Sequence, residues 1–126
     1  MTPNSALNWI FGPQLIGLIY LLIGAIQYYF PPKRINYIYG YRTLSSQKNQ
    51  ETWDEANRYS AVYLIRAGIL LIIAGCVTNK IIITADIPVK TKQMLILFLL
   101  MASAIGAALT MIIATEKHLK KKFGDK

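Results

Sequence analysis

The sequence predicts an all-α integral membrane protein: three transmembrane helices, with a structured cytoplasmic loop and helix between the first and second. Three observations predict it. The 126 residues are 54% hydrophobic and only 16% charged, against the roughly one-quarter charged of an ordinary soluble domain. The apolar residues gather into three long runs without a polar stripe. The basic residues fall mostly on one side of those runs. At this length a single membrane domain over 1–126 is expected, with helices at about 9–30, 59–79 and 94–115, a motif loop at 31–58 and a basic tail at 116–126. Abundant Leu and Ile exclude a disordered chain, and Cys76 as the only cysteine excludes a disulfide framework.

The first run, residues 9–30, is near the roughly 20 residues that cross a ~30 Å hydrocarbon core. Residues 1–7 hold no Lys or Arg, so the positive region of a cleavable signal peptide is missing and the run is expected to stay as a mature helix. Pro31 and Pro32 end it. Tyr28, Tyr29 and Phe30 form an aromatic belt at the interface. The second run, residues 61–77, carries one charge, Arg66, which can snorkel toward the near interface. Cys76 inside it reads as a small apolar filler. The third run, residues 94–115, carries no charge.

Orientation follows from Lys and Arg. The segment between the first two helices and the C-terminal tail hold Lys33, Arg34, Arg42, Lys48, Arg58, Lys117, Lys120, Lys121, Lys122 and Lys126, ten in all. The other side holds three, Lys80, Lys90 and Lys92. The N-terminus is therefore expected outside and the C-terminus inside. The +8 charge becomes an attraction to the anionic inner leaflet; direct nucleic-acid binding is not needed, and its groove and stacking motifs are absent.

Helices in lipid associate through small residues. The third run offers Ala102 and Gly106, Ser103 and Ala107, and Ala104 and Ala108, each pair four apart; the first offers Gly17 and Gly24, the second Gly68 and Gly75, each seven apart. The third helix is thus expected to pack closely on another helix, or on a second copy in a homo-oligomer.

In the loop, Tyr37, Tyr39 and Tyr41 alternate with Ile38 and Gly40, a two-residue period that fits an extended stretch with one aromatic face. Ser45 or Ser46 can cap a helix starting near Gln47, and no breaker interrupts the chain from there to Ala74. On that helix Asn49, Trp53 and Asn57 are spaced i, i+4, i+8, and Ser60 joins the stripe. A polar-aromatic-polar stripe suits packing against residues 37–42, with the amides bonding loop backbone.

These residues carry a resemblance. Phe30-Pro31-Pro32-Lys33, Asn36, Tyr39-Gly40-Tyr41-Arg42-Thr43, Ser46, Asn49, Trp53 and Asn57 resemble the signature of the SdpI family of bacterial membrane proteins. Thr115-Glu116-Lys117-His118-Leu119 through Phe123 is similar to the family's usual ending. The likeness covers most of the chain from Phe30 onward. The family's namesake is a larger immunity protein with further membrane segments ahead of the shared region. It protects a bacterium from its own secreted antimicrobial protein and holds a cognate repressor at the membrane. The resemblance implies a multi-pass protein of the bacterial cytoplasmic membrane. Its partners would be the bilayer, a secreted toxin and a cytoplasmic repressor.

Arg66, about two turns below Arg58, costs roughly 2.5–3.5 kcal/mol at that depth unless partnered. Glu116, Gln27 or a lipid phosphate are its expected partners. His118, the only histidine, reads as a surface residue of the tail, and Asp54 is placed to pair with Arg58. No catalytic set, phosphate loop or metal-ligand spacing is present, so no catalytic residue, metal or cofactor is expected. A metal would need Glu51, Asp54 and Glu55 to converge. The candidate binding and motif residues are Asn36, Tyr39, Gly40, Tyr41, Arg42, Thr43, Asn49, Trp53, Asn57, Arg58, Arg66 and Glu116. The alternative function is a small membrane enzyme or transporter for a phosphate-bearing lipid, gripped by Arg42, Arg58 and Arg66.

Overall fold

The computed structural model describes residues 10–124. Trp9, where the first helix was expected to begin, the uncharged residues 1–7 and Lys126 lie outside the described residues. The described fold is all-helical: α1 (Pro13–Tyr29), α2 (Gln50–Thr84) and α3 (Val89–Phe123).

α1 begins where Pro13 occupies the first helical position, after Gly12 in the positive-φ region at 156°. It ends at Tyr29, ahead of the proline pair. α2 does not start at Ser45 or Ser46. Its cap is Asn49, whose side chain accepts from the Thr52 N–H while Thr52 Oγ1 accepts from the Asn49 N–H, a reciprocal capping box. The Ser46 hydroxyl is spent on the preceding turn, where it accepts from the Thr43 N–H at 2.8 Å and donates to the Thr43 carbonyl at 2.9 Å. From Gln50 the helix runs unbroken, as the lack of a breaker implies, and continues to Thr84.

At 35 residues each, α2 and α3 extend about 52 Å, well beyond a ~30 Å core. Both are long and apolar enough to cross a membrane. α1, with 17 residues, extends about 26 Å. It lies antiparallel along α2: Gly24 meets Ala61 and Leu64, Gly17 meets Gly68, and the start of α1 reaches Gly75. A methyl group on Gly17 would come within 2.6 Å of the Gly68 carbonyl oxygen, and one on Gly68 equally close to that of Gly17. The glycines seven apart on both helices therefore set this crossing.

α3 departs from expectation. A methyl on Gly106 would meet nothing within 4 Å, so Gly106 is not part of a close seam. α3 is fastened instead by Tyr20, whose hydroxyl donates to the Ala104 carbonyl at 2.6 Å, and by its far C-terminal end. Cys76 is exposed on α2 and fills no gap. The outer faces carry Leu22, Ile26, Leu70, Ile81, Phe98 and Ile105, all exposed, the surface of a protein solvated by lipid.

The apolar cluster that is buried lies at one end, where Tyr41, Ala56 and Leu119 pack with Met111 and Phe123. Residues 31–49, the start of α2 and the end of α3 form a folded headpiece there.

Candidate functional site

The headpiece is built from turns, and none of the described residues forms a strand. Tyr37, Tyr39 and Tyr41 do not share a face: Tyr37 is 87% exposed and Tyr41 6%. Asn36 explains the difference. Its Oδ1 accepts from the N–H groups of Ile38 (2.9 Å) and Tyr39 (2.7 Å), and its Nδ2 donates to the Arg34 carbonyl. This side-chain turn bends the segment the alternating pattern would have left extended. The Tyr39 hydroxyl donates to the Phe30 carbonyl at 2.7 Å, tying the loop to the end of α1.

Gly40 has φ 105°, and a Cβ there would fall 2.5 Å from Asn57 Oδ1 and 2.6 Å from Pro32. Only glycine meets both demands. The close approach lets the Tyr41 N–H donate to Asn57 Oδ1 at 2.6 Å. Asn57, 1% exposed, also donates from Nδ2 to the carbonyls of Trp53 and Tyr41. Its own carbonyl accepts from Gln27 Nε2 at 2.8 Å, and Gln27 further donates to Ser60 Oγ. Trp53 is wholly buried and donates from Nε1 to the Pro32 carbonyl at 2.6 Å. The stripe thus binds loop backbone through Trp53 and Asn57, as its spacing implies, and also meets α1 through Gln27, which the spacing did not imply, while Asn49 spends its side chain on capping.

Glu116 joins α3 to this core. Its Oε1 accepts from the Tyr41 hydroxyl at 2.7 Å and from Thr43 Oγ1 at 2.6 Å. Partial burial pushes its pKa up, but the hydrogen bonds from Thr43, Tyr41 and Ser45 and the charge of Lys48 outweigh it, leaving the carboxyl below its usual range. Burial first, and then the Glu116 carboxylate, hold the Tyr41 phenol well above its usual value.

A second fastening lies beside the first. Glu55 Oε1 meets Arg58 Nη2 and His118 Nε2, both at 2.7 Å, and Oε2 meets Lys122 Nζ at 3.1 Å. The His118 ring stacks on Tyr59 with centroids 4.2 Å apart. Burial raises the Glu55 pKa, yet the bonds from His118, Arg58 and Lys122 prevail and lower it to about 2.

Of the residues singled out by sequence, Asn36, Tyr39, Gly40, Tyr41, Thr43, Asn49, Trp53, Asn57 and Glu116 come together here. Arg58 belongs to the Glu55 clasp, not to Asp54, which accepts from Gln50. Arg42 is exposed on the surface. Arg66 is exposed on α2, and the bonds of Glu116 and Gln27 run to other groups. His118 is a half-buried clasp residue and not a free residue of the tail. The sequence reasoning passed over Gln27, Ser46, Glu55, Tyr59 and Lys122 as site residues. One signal was present: His118 and Lys122, four apart, share one face of a helix. No group of three metal-ligating side chains occurs among the described residues, and Glu55 is taken up by cations.

Two depressions flank the core. A groove of about 570 Å³ is lined by Lys48, Thr52, Glu116, Lys120 and Phe123. A pocket of about 520 Å³ lies between the end of α1 and the start of α2.

Residues 33–115 match the SdpI/YfhL protein family, and the chain belongs to that family. Over 59 residues it is 49% identical to the uncharacterized protein YfhL of Bacillus subtilis (strain 168), covering 47% of this chain and 52% of that protein. The chain spans about half the length of the curated relative it matches. No solved structure matches.

Proposed function

We propose that this protein is an SdpI-type immunity and signalling protein of the bacterial cytoplasmic membrane. All three helices span the bilayer, with the N-terminus outside and the C-terminus inside. α1 lies alongside the apolar stretch of α2 from Ala61 to Gly75 and is nearly as long as the hydrocarbon core is thick, which supports its spanning with α2. The ten-to-three distribution of Lys and Arg puts the headpiece in the cytoplasm. Family membership supports the immunity role: the helices intercept a membrane-active toxin, and the headpiece reports its presence by docking a cytoplasmic repressor.

The observation that carries this reading is the continuity of the buried hydrogen bonds. Gln27 on α1 is joined to Asn57 on α2, Asn57 to Tyr41 in the loop, and Tyr41 to Glu116 on α3. A shift of any helix within the bilayer would reach the headpiece through directional bonds. Arg42, exposed next to buried Tyr41, is the first contact offered to a cytoplasmic partner. Arg66 snorkels to lipid phosphate.

The test is a deletion strain challenged with medium from its toxin-producing parent. Immunity predicts sensitivity, restored by the intact gene. It predicts failure of rescue by Asn57→Ala, and loss of signalling with Arg42→Ala. An unchanged deletion strain would refute the immunity role.

A further inference from the structure

The pocket between the end of α1 and the start of α2 has a charge pattern that the headpiece network uses only through Arg58. Lys33 and Arg58 line it as cations and Asp54 as an anion, with Tyr28, Pro31 and Pro32 as its apolar side and Gln27 and Asn57 behind. Its volume, about 520 Å³, falls in the roughly 300–1,000 Å³ range of small-ligand pockets. Gln27 and Asn57 are buried and bonded to each other's helix, so the back wall is rigid. The solvent-facing groups are the three charges.

Those charges are not exhausted by internal pairing. Arg58 commits one Nη2 contact to Glu55, and a guanidinium carries five N–H donors. Asp54 accepts from Gln50 through Oδ1, and a carboxylate has room for further donors on its other oxygen. Tyr28, the first of the three aromatic residues at the end of α1, lines the pocket as well. Toward the span from it, α1 exposes Leu22, Ile23 and Ile26. A ligand seated here would have its polar part among charges and an apolar part along α1.

We propose that this pocket binds the headgroup of an aminophospholipid, with the phosphate held by Lys33 and Arg58 and the primary ammonium by Asp54. The inference rests on the bilayer-spanning reading. The sign pattern selects the headgroup. A phosphatidylglycerol headgroup offers no cation and leaves Asp54 facing an anion. A choline headgroup offers a cation without N–H donors, so it cannot bond the carboxylate. An ethanolamine headgroup supplies both an anion and a donating cation. The acyl chains then lie on the exposed face of α1.

The experiment reconstitutes the full chain into bilayer discs containing phosphatidylethanolamine, phosphatidylcholine and phosphatidylglycerol in equal parts. Lipid retained after release into detergent is read by native mass spectrometry. Phosphatidylethanolamine should be retained over the other two. Lys33→Gln and Arg58→Gln should each weaken retention roughly tenfold, as expected for a lost charged hydrogen bond. Lys33→Gln changes an exposed side chain outside the Glu55 clasp, and unchanged far-UV circular dichroism would separate lost binding from lost fold. Asp54→Asn should abolish the preference for ethanolamine over choline while phospholipid is still retained. Equal retention of ethanolamine and choline lipids by the wild type would overturn the proposal. So would soluble glycerophosphoethanolamine binding as tightly as the lipid, which would assign the site to a free phosphoamine. Failure of the chain to enter the discs would overturn the bilayer reading and this inference with it.

Discussion

The headpiece and the shaft below it are held together by different physics. In the shaft, α1 and α2 meet backbone to backbone at Gly17, Gly24, Gly68 and Gly75, with apolar side chains turned outward. In the headpiece, buried side chains satisfy one another through directional bonds: Asn57 alone serves the loop and its own helix, and Glu116 joins the loop to α3. Lipid gives helices no hydrophobic reason to associate, so the shaft relies on close contact. In the headpiece a packed apolar cluster of Tyr41, Ala56 and Leu119 forms beside the polar core. α3 is tied most firmly at the headpiece: a methyl on Gly106 would meet nothing within 4 Å, whereas Leu119 is buried and Glu116 bonds the loop.

If this contrast holds, removing buried groups from the headpiece should be the most damaging change. Trp53→Ala should destabilise the fold by about 3–5 kcal/mol, since it empties a fully buried site and orphans the Pro32 carbonyl. Denaturation in detergent followed by far-UV circular dichroism would measure it. Asn57→Ala should cost about 2–4 kcal/mol by leaving the buried Tyr41 N–H without its partner and removing the Nδ2 bonds to the Tyr41 and Trp53 carbonyls. In the shaft, Gly68→Leu should cost about 1–3 kcal/mol through overpacking against Gly17 and Leu21. Gly106→Leu, the same change on the α3 face, should stay within about 0.5 kcal/mol. A large effect at Gly106 would show that this face is covered by another chain.

Acid should separate the two regions. The folded Glu55 value, about 2, lies below the ordinary 4.5. Its contribution is therefore complete above about 4.5 and is lost as pH falls from there toward 2. Glu116 is lowered in the same direction. Trp53 fluorescence, in a Trp9→Phe background, should report loosening of the headpiece over that window while the shaft keeps its helicity. Glu55→Gln should flatten the profile.

The helical class, the family and the headpiece segment were legible in the sequence, because long apolar runs and the Gly40 to Thr43 block are local patterns. The i, i+4, i+8 stripe correctly placed Trp53 and Asn57 against the loop. What escaped depended on competition or on distance. Asn49 won the helix cap because Ser46 was already bonded to Thr43. The alternating tyrosines lost to the Asn36 turn. The roles of Glu55 and His118 require residues 63 positions apart to meet, which no local spacing reports. Gly106 looked like part of a seam, but glycines on the other two helices took the close crossing.

Residues 31–49 form one folded headpiece fastened to all three helices. Amide hydrogen exchange in bilayer discs tests it most directly at Tyr41. The Tyr41 N–H should exchange slowly in the wild type and rapidly in Asn57→Ala, with the amides of α1 unaltered. Fast exchange at Tyr41 in the wild type, at the rate of an open loop, would contradict the account.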